Sequence, residues 1–265
     1  MTDPRLVLTS VAGGVATITL NSPHNRNALS VELRHGVIQT LAAANADPQV
    51  RVVVLAHSGP VFCSGLDLKQ DPASSGAESQ PTFAELLTAV WDSPKPVIAQ
   101  LRGAARAGGM GLLAACDLAV ATDAVTFAFT EVRLGVVPSM ISVTVLARML
   151  PPAAHELMLT AEPFGAARAL RVGLLNSVVP EAVLTSEVRR YTDLLSLGAP
   201  GAMSLTKALL RETYGGDIGL ILALRALESR ERFESAEGTE GVRAFLEKRP
   251  PSWVLATGSD PAGRA

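Results

Sequence analysis

Apolar and polar positions alternate along the first half of the chain in a way that predicts strands handing over to helices. Residues 5–11 (RLVLTSV) and 15–21 (VATITLN) are β-prone runs joined through Ala12, Gly13 and Gly14, a short link that predicts a hairpin. A polar, proline-containing stretch follows (SPHNRN, 22–27). Ser30 then stands ahead of Leu33, Val37, Ile38 and Leu41, whose spacing predicts a capped helix to about Ala46. RVVVLAH (51–57) and PVIAQL (96–101) are short apolar runs of the kind that is buried on both faces, and 118–122 and 174–179 read similarly. Strands separated by helical segments predict an α/β domain with substantial parallel pairing. Residues 70–82 (QDPASSGAESQPT) have almost no apolar content and predict a mobile surface loop. Beyond residue 180 the strand pattern stops, and 183–197, 202–212, 218–234 and 241–248 read as helices.

Composition sharpens this picture in three ways. Only 18% of the 265 residues are charged while 48% are hydrophobic, which predicts more apolar surface than one monomer hides, and hence an oligomer. Twenty-three basic against 25 acidic residues, a net charge of −2, lack the excess that a nucleic-acid partner needs. Cys63 and Cys116 form neither a disulfide framework nor a zinc spacing, which fits a reducing cytosol. The opening MTDPRLVLTS lacks a basic, then apolar, leader, and no apolar run reaches the ~18 residues of a membrane span, so a cytoplasmic protein with no membrane partner is expected.

Three segments carry candidate chemistry. In PVIAQLRGAARAGGMGLLAACD, a strand runs through Gly103, Gly108, Gly109 and Gly111 into a short apolar helix, leaving backbone amides free to bind an anion or oxyanion. The same glycines could instead allow close helix–strand packing. Gly109, Gly111 and Ala114 match a dinucleotide fingerprint, but too few residues remain before the next strand for its crossover helix. In FCSGLDL, Gly65 follows a strand and precedes an expected helical turn. Ser64 fails the nucleophile-elbow pattern, and none of His24, His35, His57 and His155 sits in a motif. In TFAFTEVRLGVVPS, Glu131 follows a strand-like run among apolar residues; desolvation would raise its pKa toward acid/base use, whereas pairing with Arg133 would make it an ordinary surface carboxylate.

Taken in order and spacing, HNRNALS, FCSGLDLK, GAARAGGMGLLAACDLAVA, FTEVRLGVVPS and the terminal FLEKRPPSW resemble the crotonase superfamily, the enoyl-CoA hydratase and isomerase family, over nearly the whole chain. The resemblance implies a crotonase-like α/β spiral of repeated ββα units over residues 1–198. It also implies a C-terminal helical region, 199–265, used in trimer formation, and commonly a dimer of trimers. It assigns the backbone N–H groups of Leu66 and Gly108 to an oxyanion hole for a thioester carbonyl and makes Glu131 the acid/base. The loop containing Arg26, Ala28 and Leu29, and Ser64, Leu66, Asp67, Leu68 and Lys69, fall where the CoA portion is contacted, with Arg26 and Lys69 as phosphate partners. No cofactor or metal is implied, since CoA is part of the substrate.

One position departs from the pattern. Typical hydratases of this family carry two glutamates, and the first falls at Gly111 here. With Glu131 alone, hydration stands first by a narrow margin over Δ3,Δ2-enoyl-CoA isomerisation, followed by some other enolate reaction. A catalytically silent acyl-CoA binder and, more remotely, a nicotinamide oxidoreductase are the readings from other classes.

Overall fold

The computed structural model describes residues 5–69, 81–212 and 217–254. Most of the loop expected over 70–82 lies outside the described residues.

The chain opens with β1 (Val7–Ala12) and β2 (Val15–Leu20), paired antiparallel through Gly13 and Gly14, both at positive φ, as a two-residue hairpin turn that keeps the strand twist requires. Helix α1 (Val31–Ala46) starts where expected, with the Ser30 hydroxyl accepting the Leu33 amide. A unit of two strands and a helix then recurs three times: β3 (Val52–His57), β4 (Val61–Cys63) and α2 (Phe83–Trp91); β5 (Val97–Leu101), β6 (Ala104–Arg106) and α3 (Gly108–Ala115); β7 (Leu118–Thr122), β8 (Thr126–Ala128) and, after a 3-10 turn at Glu131–Leu134, α4 (Ser139–Val145). α5 (Pro151–Thr160), β9 (Phe164–Gly165), α6 (Ala166–Arg171) and β10 (Ser177–Val179) follow. The chain continues through α7 (Leu184–Ser196), α8 (Pro200–Glu212), α9 (Ile218–Glu234) and α10 (Ala236–Leu246).

Within each unit the first strand joins one sheet and the second joins another. The larger sheet runs β1-β2-β3-β5-β7-β10 and is parallel from β2 onward; the smaller runs β4-β6-β8-β9, with its first three strands parallel. Repetition of that step winds the chain into the ββα spiral. β10 is shorter than the run at 174–179 suggested, because Leu174 and Leu175 turn their amides back onto the Ala169 carbonyl after α6. The last helix begins at Ala236, earlier than expected, because the Ser235 hydroxyl accepts the Gly238 amide and caps it.

Both faces of the large sheet are covered, which accounts for the apolar continuity of β3. Val53 and Leu55 face the main core with Leu33, Val97 and Ala99; Val52 and Val54 face Ile98, Val120 and, on α7, Leu184 and Val188. α9 lies against α2 and α4, and α10 lies against α9 and the turn at 131–134, so the C-terminal helices fold back over the spiral. α8 is fastened by a buried lysine: Lys207 Nζ donates to Asp117 Oδ2 at 2.6 Å and to the Lys95 carbonyl at 2.8 Å, while that carboxylate oxygen also accepts the Val97 amide at 2.7 Å. Among the described residues no helix is long and apolar enough to cross a membrane.

The Lys207–Asp117 pair differs in kind from the exposed ion pairs around it. Lys207→Ala strands a carboxylate that is only 29% exposed and should lower the unfolding free energy by about 2 kcal/mol. Arg243→Ala, at a pair 68% and 45% exposed, should cost at most about 0.5 kcal/mol. Urea denaturation of the two variants side by side checks the contrast.

Candidate active site

The three parallel strands of the smaller sheet end side by side, and each is followed within three residues by one of the groups singled out in the sequence. Leu66 comes three residues after β4, Gly108 two after β6 and Glu131 three after β8. The carboxyl ends of parallel strands are where open α/β sheets present loops to ligands.

The first two groups meet through close backbone nesting. Gly65 has φ +100, which an L side chain rarely adopts, and a Cβ there would stand 3.1 Å from the Gly108 nitrogen. A Cβ on Gly108 would in turn stand 3.4 Å from the Leu66 nitrogen. Ala107 supplies the bend. Its φ of 44 and ψ of −120 are strained for a residue with a Cβ, of order 1–3 kcal/mol, and are held by its amide on the Ala128 carbonyl at 3.2 Å and by its carbonyl accepting the Met110 amide at 2.8 Å. Among the described residues neither Leu66 nor Gly108 donates its amide to a protein acceptor. Two backbone amides therefore lie close together, and among the described residues both have their hydrogen bonds unspent.

The loop that sequence assigned to CoA contact is stitched to this corner. Asn27 is fully buried, its Oδ1 accepting the Ser22 amide at 2.7 Å and its Nδ2 donating to the Ser58 and Val61 carbonyls at 3.0 and 2.7 Å. The Ser64 amide donates to the Arg26 carbonyl at 3.1 Å and the Leu29 amide to the Gly65 carbonyl at 2.8 Å, so Leu29 pairs with Leu66 as a parallel bridge. That pairing replaces the helical turn expected after Gly65. Ala28 and Leu29 are buried, Asp67 and Leu68 half-buried; Arg26 and Lys69 are exposed. Ser64 Oγ contacts the Asn25 carbonyl at 3.5 Å, not a histidine. The Cys63 thiol is buried and pushed up to about 12 by desolvation, which removes it as a nucleophile.

Glu131 is buried, at 7% exposure, so pairing with Arg133 at the surface is overturned. Arg133 reaches the Thr160 carbonyl instead. Burial raises the carboxyl to about 7, opposed in part by its own backbone amide, and Oε2 is buried without a hydrogen-bond partner. An orphan buried carboxyl oxygen is a group kept available for something else. The turn that carries it is pressed into place by α10: a Cβ on Gly135, at φ +67, would meet the Glu237 carbonyl oxygen at 2.5 Å, and one on Gly241 would collide with the Leu134 carbonyl.

Position 111, one helical turn beyond Gly108, is closed to a side chain. A Cβ there would lie 2.8 Å from Ile141 Cγ2, and the Gly111 carbonyl accepts the Thr144 hydroxyl at 3.0 Å, so α4 packs directly on α3. Gly109 is likewise a packing residue, since a Cβ would meet the Cys63 carbonyl oxygen at 2.5 Å. The two readings of the glycine cluster therefore divide by residue: Gly108 presents an amide, and Gly109 and Gly111 allow close approach. α3, at eight residues, is too short for the dinucleotide crossover. Sequence reasoning missed Ala107, whose strain has no composition signal, and Phe83, whose Cζ lies 3.4 Å from the Gly108 Cβ direction. Among the described residues no cluster of His, Cys, Asp or Glu could hold a metal.

Residues 10–255 match the family model described as enoyl-CoA hydratase/isomerase. The crystal structure of an enoyl-CoA hydratase from Mycobacterium avium is similar at 40% identity and a TM-score of 0.82, over 96% of this chain and 100% of that one. The human mitochondrial enoyl-CoA hydratase domain-containing protein 3 is 35% identical over 95% of this chain and 84% of its own length. A methylmalonyl-CoA decarboxylase structure is similar at 28% identity and a TM-score of 0.81, over 96% and 99%. By that match and by its ββα spiral, the chain belongs to the enoyl-CoA hydratase/isomerase family of the crotonase superfamily.

Proposed function

We propose that this protein acts on an enoyl-CoA thioester, with the Leu66 and Gly108 amides holding the thioester oxygen as it gains charge and Glu131 moving the proton. The observation that carries the reading is a buried carboxyl with an unpartnered oxygen, at strand ends shared with two unspent backbone donors. Removing a proton beside a thioester carbonyl, or adding a nucleophile to its conjugated double bond, builds negative charge on that oxygen. Fixed dipoles in a dry site stabilise it, one donor being worth roughly 10²–10³ in rate. A carboxyl near 7 exchanges protons readily in either direction at neutral pH.

The closed position at Gly111 favours double-bond transfer. The Glu131 carboxylate takes a proton from C2 of a 3-enoyl thioester, the C–H electron pair passes through C1 to the carbonyl oxygen, and the resulting dienolate regains the proton from Glu131 at C4 as the double bond settles between C2 and C3. One carboxyl completes the cycle, so Ile141 can occupy the second glutamate's ground at no chemical cost. Hydration, placed first from sequence, is the second reading and is favoured by the names of relatives. In it Glu131 takes a proton from water as the oxygen adds to C3, then returns it to C2. CoA would lie along Ala28, Leu29, Ser64, Asp67 and Leu68, with Arg26 and Lys69 free at the surface for phosphates. No separate cofactor is needed by either route. A homotrimer or dimer of trimers is part of the proposal, since Leu205, Leu209, Leu220, Leu224 and Leu227 stand exposed on α8 and α9. So is a cytoplasmic location, although the human relative's name places that protein in mitochondria.

Turnover of a 3-enoyl-CoA and of crotonyl-CoA should both be measured, with isomerisation expected to be faster; Glu131→Gln should lower either by roughly 10²–10⁴. Calorimetric binding of acyl-CoA with no turnover of either would replace the enzyme with a silent binder. The isomerase rate should rise with pH through about 7, following ionisation of Glu131. Stability moves the opposite way. The folded carboxyl, at about 7, lies above its ordinary 4.5, so its burial costs nothing below pH 4.5 and a growing amount from there to 7. Glu131→Gln should therefore stabilise the protein by up to about 3 kcal/mol at pH 8 and by little at pH 4, read by chemical denaturation. Gly111→Glu alone should lose stability, by about 1–3 kcal/mol, through the clash with Ile141.

A further inference from the structure

We infer that Arg34 is a positioning residue for the two carbonyl donors: its guanidinium ties the segment that carries the Leu66 amide to the start of the helix that packs on Gly108. The inference rests on the reading of those amides as an oxyanion site.

Arg34 occupies the first turn of α1, where a cation opposes the helix dipole. It is 6% exposed, and desolvation lowers its pKa, with Glu32 and Glu85 acting against that shift. Among the described residues its side-chain hydrogen bonds go to the backbone carbonyls of Leu29 and Pro81. Neither helix stability nor ion pairing accounts for a buried guanidinium at this place, and an apolar side chain would be cheaper to bury.

What it grips does account for it. Nη1 donates to the Leu29 carbonyl at 2.6 Å, and Nε donates to the Pro81 carbonyl at 3.0 Å. The Leu29 amide binds the Gly65 carbonyl at 2.8 Å, and that carbonyl shares a peptide plane with the Leu66 amide. By holding the Leu29 carbonyl, on the next peptide along, Arg34 restricts rotation about Leu29 and so helps hold the Leu66 amide in its direction. Pro81 immediately precedes Thr82, the cap of α2, which forms a reciprocal capping box with Glu85. The next residue, Phe83, places its ring end 3.4 Å from the Cβ direction of Gly108. One rigid planar group therefore spans the two backbone supports, and its fork fixes their relative orientation in a way that a flexible ammonium cannot.

The test uses the full-length protein and a dimethylaminocinnamoyl-CoA thioester, whose absorption moves to longer wavelength as its carbonyl oxygen is polarised. The wild type should red-shift the bound probe. Arg34→Gln should lose most of that shift and about tenfold or more of kcat, with KM changed by less than about threefold, and Arg34→Lys should restore part of both. Arg211→Gln serves as the control, because Arg211 also bonds a backbone carbonyl, that of Ser93, but holds α8. It should lower Tm and leave the shift intact. If Arg34→Gln lowers Tm while shift and kcat stay within twofold of wild type, Arg34 is a structural clamp only and the inference is overturned. If Arg34→Gln does not fold, Arg34→Lys decides by the same readouts. Absence of any red shift in the wild type would overturn the oxyanion reading itself, and this inference with it.

Discussion

The arrangement at the strand ends depends on how closely two glycine turns approach one another. The peptide after Gly65 and the peptide after Ala107 nest almost in contact, and that spacing together with a φ of +100 disfavours any Cβ at Gly65. Backbone strain at Ala107 is part of the same constraint. A residue forced to φ 44 is tolerated only where its neighbours over-determine it, and here the Ala128 carbonyl and the Met110 amide do so from either side. Both donors are main-chain groups, so their direction is fixed before any substrate arrives, which is the condition under which such dipoles act most strongly.

Glu131 is held by a different means. Burial raises its pKa, and the turn that carries it is packed by chain more than a hundred residues later, where Glu237 and Gly241 of α10 press on Gly135 and Leu134. The C-terminal helices thus do more than offer an exposed face to another copy. Through α10 they pack on the turn that carries Glu131, and any loosening that admitted solvent there would lower the carboxyl toward its ordinary range.

Much of this was legible in the sequence, and the remainder was not, for physical reasons. The capped start of α1, the hairpin at Gly13–Gly14 and the doubly buried β3 follow from local pattern. Leu66, Gly108 and Glu131 were found as segments, and their order and spacing identified the family. Their convergence was not local information, because it arises from the register of β4, β6 and β8 across the smaller sheet. The environment of Glu131 could not be read from TFAFTEVRLG, since the elements that pack on its turn, α5 and α10, come later in the chain. Nothing in the pattern of α1 singles out Arg34, because no periodicity distinguishes a guanidinium that bonds Leu29 and Pro81 from one in water. The turn after Gly65 was misjudged because its pairing partner, Leu29, is distant in sequence.

The repeating unit explains how one backbone can serve several reactions. Each of the three successive ββα units delivers one group to the same edge: two deliver a peptide amide, which of the side-chain changes at positions 66 or 108 only proline would remove, and the third delivers a side chain. On the proposed reading, charge stabilisation rests on the main chain and proton traffic on a replaceable side chain. At Gly111 the replaceable part has gone further than the loss of a carboxylate. Ile141 packs against the bare backbone, so a glutamate there would require α4 to give way as well. What reads as one letter in the sequence is, in the packing, a contact shared by two helices, and on the proposed reading it is this contact that weights the chemistry toward a single proton carrier.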